Sequence, residues 1–268
     1  EIKNKSIQLA LGLNVIGLLN IQFAIQNNEL FILEANPRAS RTMPFVAKVT
    51  GNQIIKAGTL LMLGHSLEDI KVKTKYLNST TEKIAVKKAI FPWSRFPAED
   101  TMLGPEMKAT GEVLGIGNDF GTALNKAYAA AGVSIGEKEK GVFVTLSDNE
   151  KPNFVEIVKR YVELGFLIYT TEGTGKYLKI NGVDSINVGR ANDKSPTSLT
   201  IIEEKLISLV INTPTYANEY TDGWKIRRLS HDSGVAVVSS VREAEAFLEA
   251  FLLQEKVLED MESIQNVS

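Results

Sequence analysis

Phe31-Ile32-Leu33-Glu34-Ala35-Asn36-Pro37-Arg38-Ala39-Ser40-Arg41 sets an apolar run directly against a carboxylate, an amide and two guanidinium groups. Glu34 and Asn36 are two apart, so on an extended strand they face the same side. Pro37 has no N–H to give to a ladder and ends the strand. A hard cation such as Mg²⁺ takes one or two oxygen ligands from protein and the rest from phosphate and water. Arg38 and Arg41 bring the positive charge that phosphoryl oxygens in transfer require. An isolated E-x-N-x-R pattern reads better as a strand end with a surface ion pair. The surrounding residues decide against that.

Upstream, Leu18 to Ile25 reads as a strand, Asn27-Asn28 as a hairpin turn and Leu30 to Ala35 as the return strand. This hairpin brings Gln22 beside the strand that holds Glu34. Before it, Ile7, Leu11 and Val15 recur at helical spacing over residues 4–15, and Gly17 punctuates. After it, Pro44 to Leu63 is helical, broken by Gly51 and ended by Gly64, and residues 66–82 read as polar and irregular. Ile84 to Phe91 is a strand stopped by Pro92. Phe96 to Asp100 is a loop, and Gly104 to Glu112 is rich enough in turn formers to read as ordered loop. Asp119 to Ala131 is a helix with Phe120, Leu124 and Tyr128 on one side.

Gly132 to Gly141 is glycine-flanked and charged, as a linker would be. Beyond it, strands at Val142–Leu146, Phe166–Tyr169, Ile186–Val188, Leu206–Ile211 and Val235–Val238 are interleaved with helices. Those helices are Phe154–Leu164, Thr174–Ile180 and a terminal Val241–Val257. Such alternation predicts a parallel sheet covered on both faces. The expected fold class is therefore α/β, an antiparallel sheet with helices followed by a parallel α/β domain.

Of the 268 residues, 44% are hydrophobic and 23% charged, an ordinary globular balance long enough for two modest domains. A net charge of −2 gives no electrostatic ground for nucleic-acid binding. Apolar runs such as Leu60-Leu61-Met62-Leu63 are too short to cross a bilayer, and Glu1 to Lys5 is unlike a signal peptide. The expected location is cytoplasmic. No cysteine is present, which excludes disulfides and thiolate chemistry, and the two histidines stand far apart at positions 65 and 231. His65 and His231 read as surface or helix-end residues, Trp93 and Trp224 as packing, and Glu259 to Glu262 as a solvated face. The chain opens with Glu1 inside a helical pattern that has no clear cap, and reads as a piece of a longer one.

Four blocks together bear a family resemblance. They are Gly17 to Ala24, Glu34 to Arg41, Pro44 to Gly51, and Leu103 to Val113 with its G-P-E-M-x-x-T-G-E pattern. Residues 1–131 resemble the end of the second ATP-grasp half of the carbamoyl-phosphate synthetase large subunit. Residues 132–268 resemble the methylglyoxal-synthase-like regulatory domain that follows it. The continuation Arg41-Thr42-Met43-Pro44 is similar to the carbamate-phosphorylating half.

The resemblance implies a ligase that uses ATP with Mg²⁺ or Mn²⁺ and receives ammonia from a glutaminase small subunit. Its product serves pyrimidine and arginine synthesis, and a homo-oligomer is possible. By resemblance Gln22, Glu34 and Asn36 are metal ligands, Gln22 and Glu34 meet ATP through the metal, and Arg38 and Arg41 bind carbamate or phosphate oxygens. No catalytic role falls to Gly104–Glu112, which reads as a loop packed between domains.

Thr170-Thr171-Glu172-Gly173-Thr174-Gly175 follows a strand and opens a helix, which suits either a phosphate site or a plain capped start. The resemblance favours a nucleotide effector there, met by Thr171, Thr174 and Asn212, with Lys151 and Arg190 as further phosphate partners. Relatives activated by ornithine carry Glu where Lys88 stands, and Tyr and Thr where Val237 and Ser239 stand. The expectation is therefore no ornithine activation and control by a UMP-like nucleotide, although Pro214 replaces a hydroxyl found in some relatives. The isolated chain is expected to lack synthetase activity. The competing readings are a stand-alone nucleotide-binding module and, further off, methylglyoxal synthase.

Overall fold

The computed structural model describes residues 1–73, 82–96, 98–102, 111–137, 139–194, 196–213 and 221–253. Two compact units divide the chain, one formed by Glu1–Lys83 and one beginning at Ile84.

In the first unit, α1 (Ile2–Gly12) precedes a two-stranded antiparallel sheet of β1 (Asn20–Gln26) and β2 (Glu29–Asn36). Asn27 and Asn28 join the strands with φ of 50° and 66°, the left-handed pair that a two-residue hairpin needs and that asparagine tolerates. The register sets Gln22 opposite Glu34 and Asn20 opposite Asn36, with a bulge between Gln22 and Phe23. Helices α2 (Thr42–Thr50) and α3 (Ile54–Met62) follow, parted at Gly51, whose φ is 67°. Residues 67–73 form α4, where the sequence had suggested irregular chain; seven residues are too few to show a period. Met43, Ala57 and Ile70 are the buried apolar side chains among the described residues of this unit, whereas Ile25, Phe31, Ile32 and Leu33 of the hairpin are exposed.

The second unit begins with an antiparallel pair, β3 (Ile84–Ile90) and β4 (Gly111–Gly117), covered by α5 (Phe120–Ala130). Gly111 and Glu112 open β4 and are not loop. The rest of the Gly104–Glu112 block lies outside the described residues, as do Pro214 and Glu259–Glu262. The glycines within β4 have a packing cause. A Cβ at Gly115 would stand 1.9 Å from the Ala123 carbonyl oxygen, so only a bare strand lets α5 lie this close. Asp119 caps α5 by accepting from Thr122 N at 2.7 Å.

The remainder alternates β5 (Gly141–Thr145), α6 (Lys151–Glu163), β6 (Ile168–Thr170), α7 (Glu172–Ile180), β7 (Ile186–Asn187), α8 (Ser198–Glu203), β8 (Ile207–Asn212), α9 (Asp222–Asp232), β9 (Ala236–Val238) and α10 (Val241–Leu252). The five strands form one parallel sheet in the order β7-β6-β5-β8-β9. Successive residues of β5 feed opposite cores. Val142 and Val144 join Phe154, Tyr161, Phe247 and Leu248 on one face, while Phe143 meets Ile201, Ile202 and Ile226 on the other.

Helix α5 belongs to this unit. Its Asn125 donates to the Ala250 carbonyl of α10 at 3.2 Å, and Tyr128 lies edge-on to Phe247. Ser240 and Glu243 start α10 with a reciprocal capping box. Among the described residues, no helix is long and apolar enough to cross a membrane.

Candidate functional site

Strand order decides where a ligand fits in the second unit. The chain runs outward from β5 to β6 and β7, then returns to β8 on the other side of β5. The loops after β5 and β8 therefore diverge and leave a crevice at the carboxyl ends of the strands. A cavity of about 810 Å³ sits there.

Lys151, Thr171, Thr174, Arg190 and Asn212 all line this cavity, although they come from four different βα connections. Thr171 precedes α7 with extended backbone and no side-chain cap, leaving its hydroxyl 3.5 Å from those of Thr145 and Thr174. Thr174 is committed more firmly, accepting the Leu146 N–H at 3.1 Å. Lys151 is half-buried and paired with Asp148 at 2.5 Å. Arg190 is exposed at the rim, its backbone N–H donating to Asp193 Oδ2 at 2.8 Å. Threonine hydroxyls, a helix N-terminus and cations converging on one hollow suit a phosphate-bearing ligand. Asp148, Glu172, Asp193 and Asp222 also line the cavity, so the ligand would meet both signs of charge.

Sequence reasoning missed part of this wall. Ser147 donates its N–H to Thr213 Oγ1 at 2.8 Å, tying the loop after β5 to the end of β8. Ser198 is fully buried at the start of α8, and its hydroxyl has no partner among the described residues. Arg227, also buried, donates from Nη1 to Asn212 Oδ1 at 2.6 Å and holds Asp100 through Nε, at 2.9 Å, and Nη2. Burial raises the Asp100 carboxyl, but the Arg227 hydrogen bond, the backbone N–H groups of Met102 and Thr101 and the guanidinium charge prevail, and its pKa falls below the ordinary value.

Lys88, Val237 and Ser239 line a second cavity of about 500 Å³, beside Tyr128, His231, Glu243 and Arg227. The Lys88 ammonium lies 4.2 Å from the centre of the Tyr128 ring. Desolvation lowers its pKa, and the Glu243 charge opposes that shift. Burial, with Glu243 adding to it, pushes the Tyr128 hydroxyl up to about 12. Trp93 is buried and meets His231 edge-on, and His231 sits in the last turn of α9.

In the first unit the hairpin places Gln22 and Glu34 as a direct cross-strand pair, with Asn36 two residues beyond Glu34 on the same face. Asn36 Nδ2 donates to Glu34 Oε1 at 2.9 Å, which steadies the carboxylate. Asn20, paired with Asn36, adds a third amide to this face by its period of two, a further residue that the alternation of the strand marks. The donors fit a hard divalent cation: all are oxygens, and the single carboxylate leaves charge to be balanced by phosphate. No cluster of three His, Cys, Asp or Glu side chains occurs among the described residues. Arg38 is exposed, with only a 3.4 Å contact from Nη1 to the Ala39 carbonyl, and Arg41 precedes the first turn of α2. Between them the Ser40 hydroxyl is buried without a partner among the described residues, a donor available to an oxyanion.

Comparison with known families and proteins agrees in both units. Residues 1–70 match the family described as carbamoyl-phosphate synthase L chain, ATP binding domain, and residues 153–239 match the MGS-like domain. Over 97% of its length the chain is 40% identical to a protein of Aquifex aeolicus named carbamoyl phosphate synthase large chain, C-terminal section, of which it covers 51%. It is 38% identical over 91% of its length to a protein of the same name from Methanocaldococcus jannaschii, covering 40% of that protein. A carbamoyl phosphate synthase large chain from a Synechocystis species is 40% identical over 97% of the chain, which spans 24% of that relative. The chain thus spans about half, or less, of the length of these curated relatives.

Proposed function

From the premise that the chain is homologous along nearly its whole length to the C-terminal region of carbamoyl phosphate synthase large chains, we propose that it pairs part of an ATP-dependent phosphorylation site with a nucleotide-binding regulatory domain. The register that sets Gln22 against Glu34 supports the first half of this reading. Gln22, Glu34 and Asn36 would hold Mg²⁺ or Mn²⁺, and the ion, when bound, neutralises charge on the ATP phosphates. Asn36 orients the Glu34 carboxylate through their hydrogen bond. Arg38 and Arg41 present planar forks to the oxygens of carbamate, and so hold the acceptor while the phosphoryl group moves.

The cavity at the β5–β8 crevice supports the second half. Lys151, Thr171, Thr174 and Arg190 would receive the phosphate of a UMP-like effector, with Asn212 reaching another part of the molecule. On this reading the ATP-grasp portion extends to Ala131 and the regulatory domain begins at Gly132, as modules of a cytoplasmic ligase that draws ammonia from a glutaminase small subunit. The same cavity also favours a narrower alternative, a module whose own activity is nucleotide binding. Methylglyoxal synthase has less support, because no histidine is among the described residues that line the cavity.

An assay of ATP-dependent carbamoyl phosphate formation tests the first half. The chain alone is expected to give no turnover, and real turnover would refute its proposed dependence on further sequence. Calorimetric titration with UMP, IMP and ornithine tests the second half. Nucleotide binding in competition with inorganic phosphate is expected, and tight ornithine binding would contradict the role given to Lys88.

A further inference from the structure

Asn212 ends β8, is almost wholly buried, and faces the candidate nucleotide cavity. Its amide has one oxygen and one NH₂ group, and which of them the cavity meets decides what it can recognise. Arg227 settles the choice by chemistry: a guanidinium has five N–H donors and no acceptor, so only Oδ1 can face Nη1 at 2.6 Å. Nδ2 is then left as a donor with no acceptor among the described residues. Arg227 in turn cannot swing away, because Asp100 holds it through both Nε and Nη2.

The result is a relay of carboxylate, guanidinium and amide. We infer that Asp100 and Arg227 are positioning residues that lock Asn212 as a hydrogen-bond donor, and so make the cavity select ligands that offer a carbonyl-type acceptor there.

This inference rests on the reading of the cavity as a nucleotide site and specifies the class of nucleotide. The phosphate-side groups Thr171 and Thr174 follow β6, while Asn212 ends β8, with β5 between them. Two strand spacings separate them, about 10 Å, a span comparable with that from a 5′-phosphate to the far edge of its base. Uracil and hypoxanthine present a carbonyl oxygen where cytosine and adenine present an amino group. A donor locked in place rejects the amino bases, since two facing donors leave both unsatisfied. The unpartnered Ser198 hydroxyl in the same wall can serve either polarity and does not undo this preference.

Calorimetric titration of the chain with UMP, CMP, IMP and AMP, each in competition with inorganic phosphate, tests the relay. The unaltered chain is expected to prefer UMP over CMP and IMP over AMP by roughly tenfold or more. Asp100→Asn should narrow both ratios and Arg227→Met should level them. Asn212→Asp, nearly isosteric, keeps the contact to Arg227 but offers oxygen to the ligand, and should invert them. A purely structural role for Asp100 or Arg227 would instead weaken all four nucleotides together and leave the ratios intact, which overturns the inference. Ratios near one in the unaltered chain also overturn it while leaving the nucleotide site standing. Failure of all four to bind in competition with phosphate removes the underlying reading and this inference with it.

Discussion

Replacing Thr174 by valine separates the two tasks that its hydroxyl performs. The side chain is buried, and its Oγ1 accepts the N–H of Leu146, itself buried at the end of β5. Thr174→Val keeps the shape, removes the acceptor and leaves that N–H without a partner. An unsatisfied buried donor costs about 1–3 kcal/mol, so the expected loss is about 2 kcal/mol. For a domain of this size that is a fall of roughly 4–8 °C in Tm. Thr171→Val is the control. Among the described residues the Thr171 hydroxyl has two hydrogen-bond contacts, at 3.5 Å and both to other hydroxyls, so its removal should move stability by less than about 0.5 kcal/mol. Both variants should weaken UMP binding, because both hydroxyls face the cavity. Scanning calorimetry and urea unfolding of the chain give the stability change, and titration gives the affinity. A Thr174→Val protein as stable as its parent would refute the argument, since it would show that Leu146 N–H needs no acceptor from α7.

Further outcomes follow from the same structure. Glu34→Gln should weaken Mn²⁺-nucleotide binding, followed by electron paramagnetic resonance, by roughly tenfold or more, the scale that even outer-shell partners of a metal show; an unchanged affinity would place the metal elsewhere. Lys88 has a pKa lowered chiefly by desolvation, so the unfolded chain binds its proton more readily, and stability should rise as pH climbs from the lowered pKa toward 10.5. Lys88→Met should flatten that rise in urea midpoints, and an unaltered slope would show that Lys88 is not its source. Asp100 has a pKa held below 3.8, so its ion pair stabilises the fold above that value and is lost as pH falls through the lower folded pKa; Asp100→Asn should remove this part of the acid limb. Gly115→Ala would press a Cβ against the backbone of α5, and a destabilisation of about 1–3 kcal/mol is expected by calorimetry.

The hairpin was legible because every level agreed. An apolar run, an Asn-Asn turn and a proline stop all point to one hairpin, while the bulge between Gln22 and Phe23, which no residue pattern announces, sets Gln22 against Glu34 in place of Leu33. The parallel sheet was legible because its strands are short apolar runs, buried on both faces, with helices between them. Helix α8 escaped notice because six residues cannot show a period. Helix α9 escaped for a different reason: it buries Arg227 and Ser230 beside Ile226, so its inward face reads as polar.

That polar face is what could not be inferred from sequence, because its partners lie far along the chain. Arg227 reaches Asp100 across 127 positions, and Arg228 holds the carbonyls of Phe96 and Trp93 at 2.8 and 3.0 Å. No periodicity announces a guanidinium that is buried because a distant loop needs a donor. The same helix starts at the 810 Å³ cavity, where Thr221 caps it and Asp222 and Gly223 form part of the wall. A Cβ on Gly223 would lie 3.1 Å from Arg227 Nη1, so a larger residue there would press on the guanidinium. One short polar helix therefore shapes the cavity at its first turn and fastens Trp93, Phe96 and Asp100 from its middle. Phe96 and Asp100, the two ends of the stretch that the sequence reads as a loop, are thus anchored by a helix that no apolar periodicity announces.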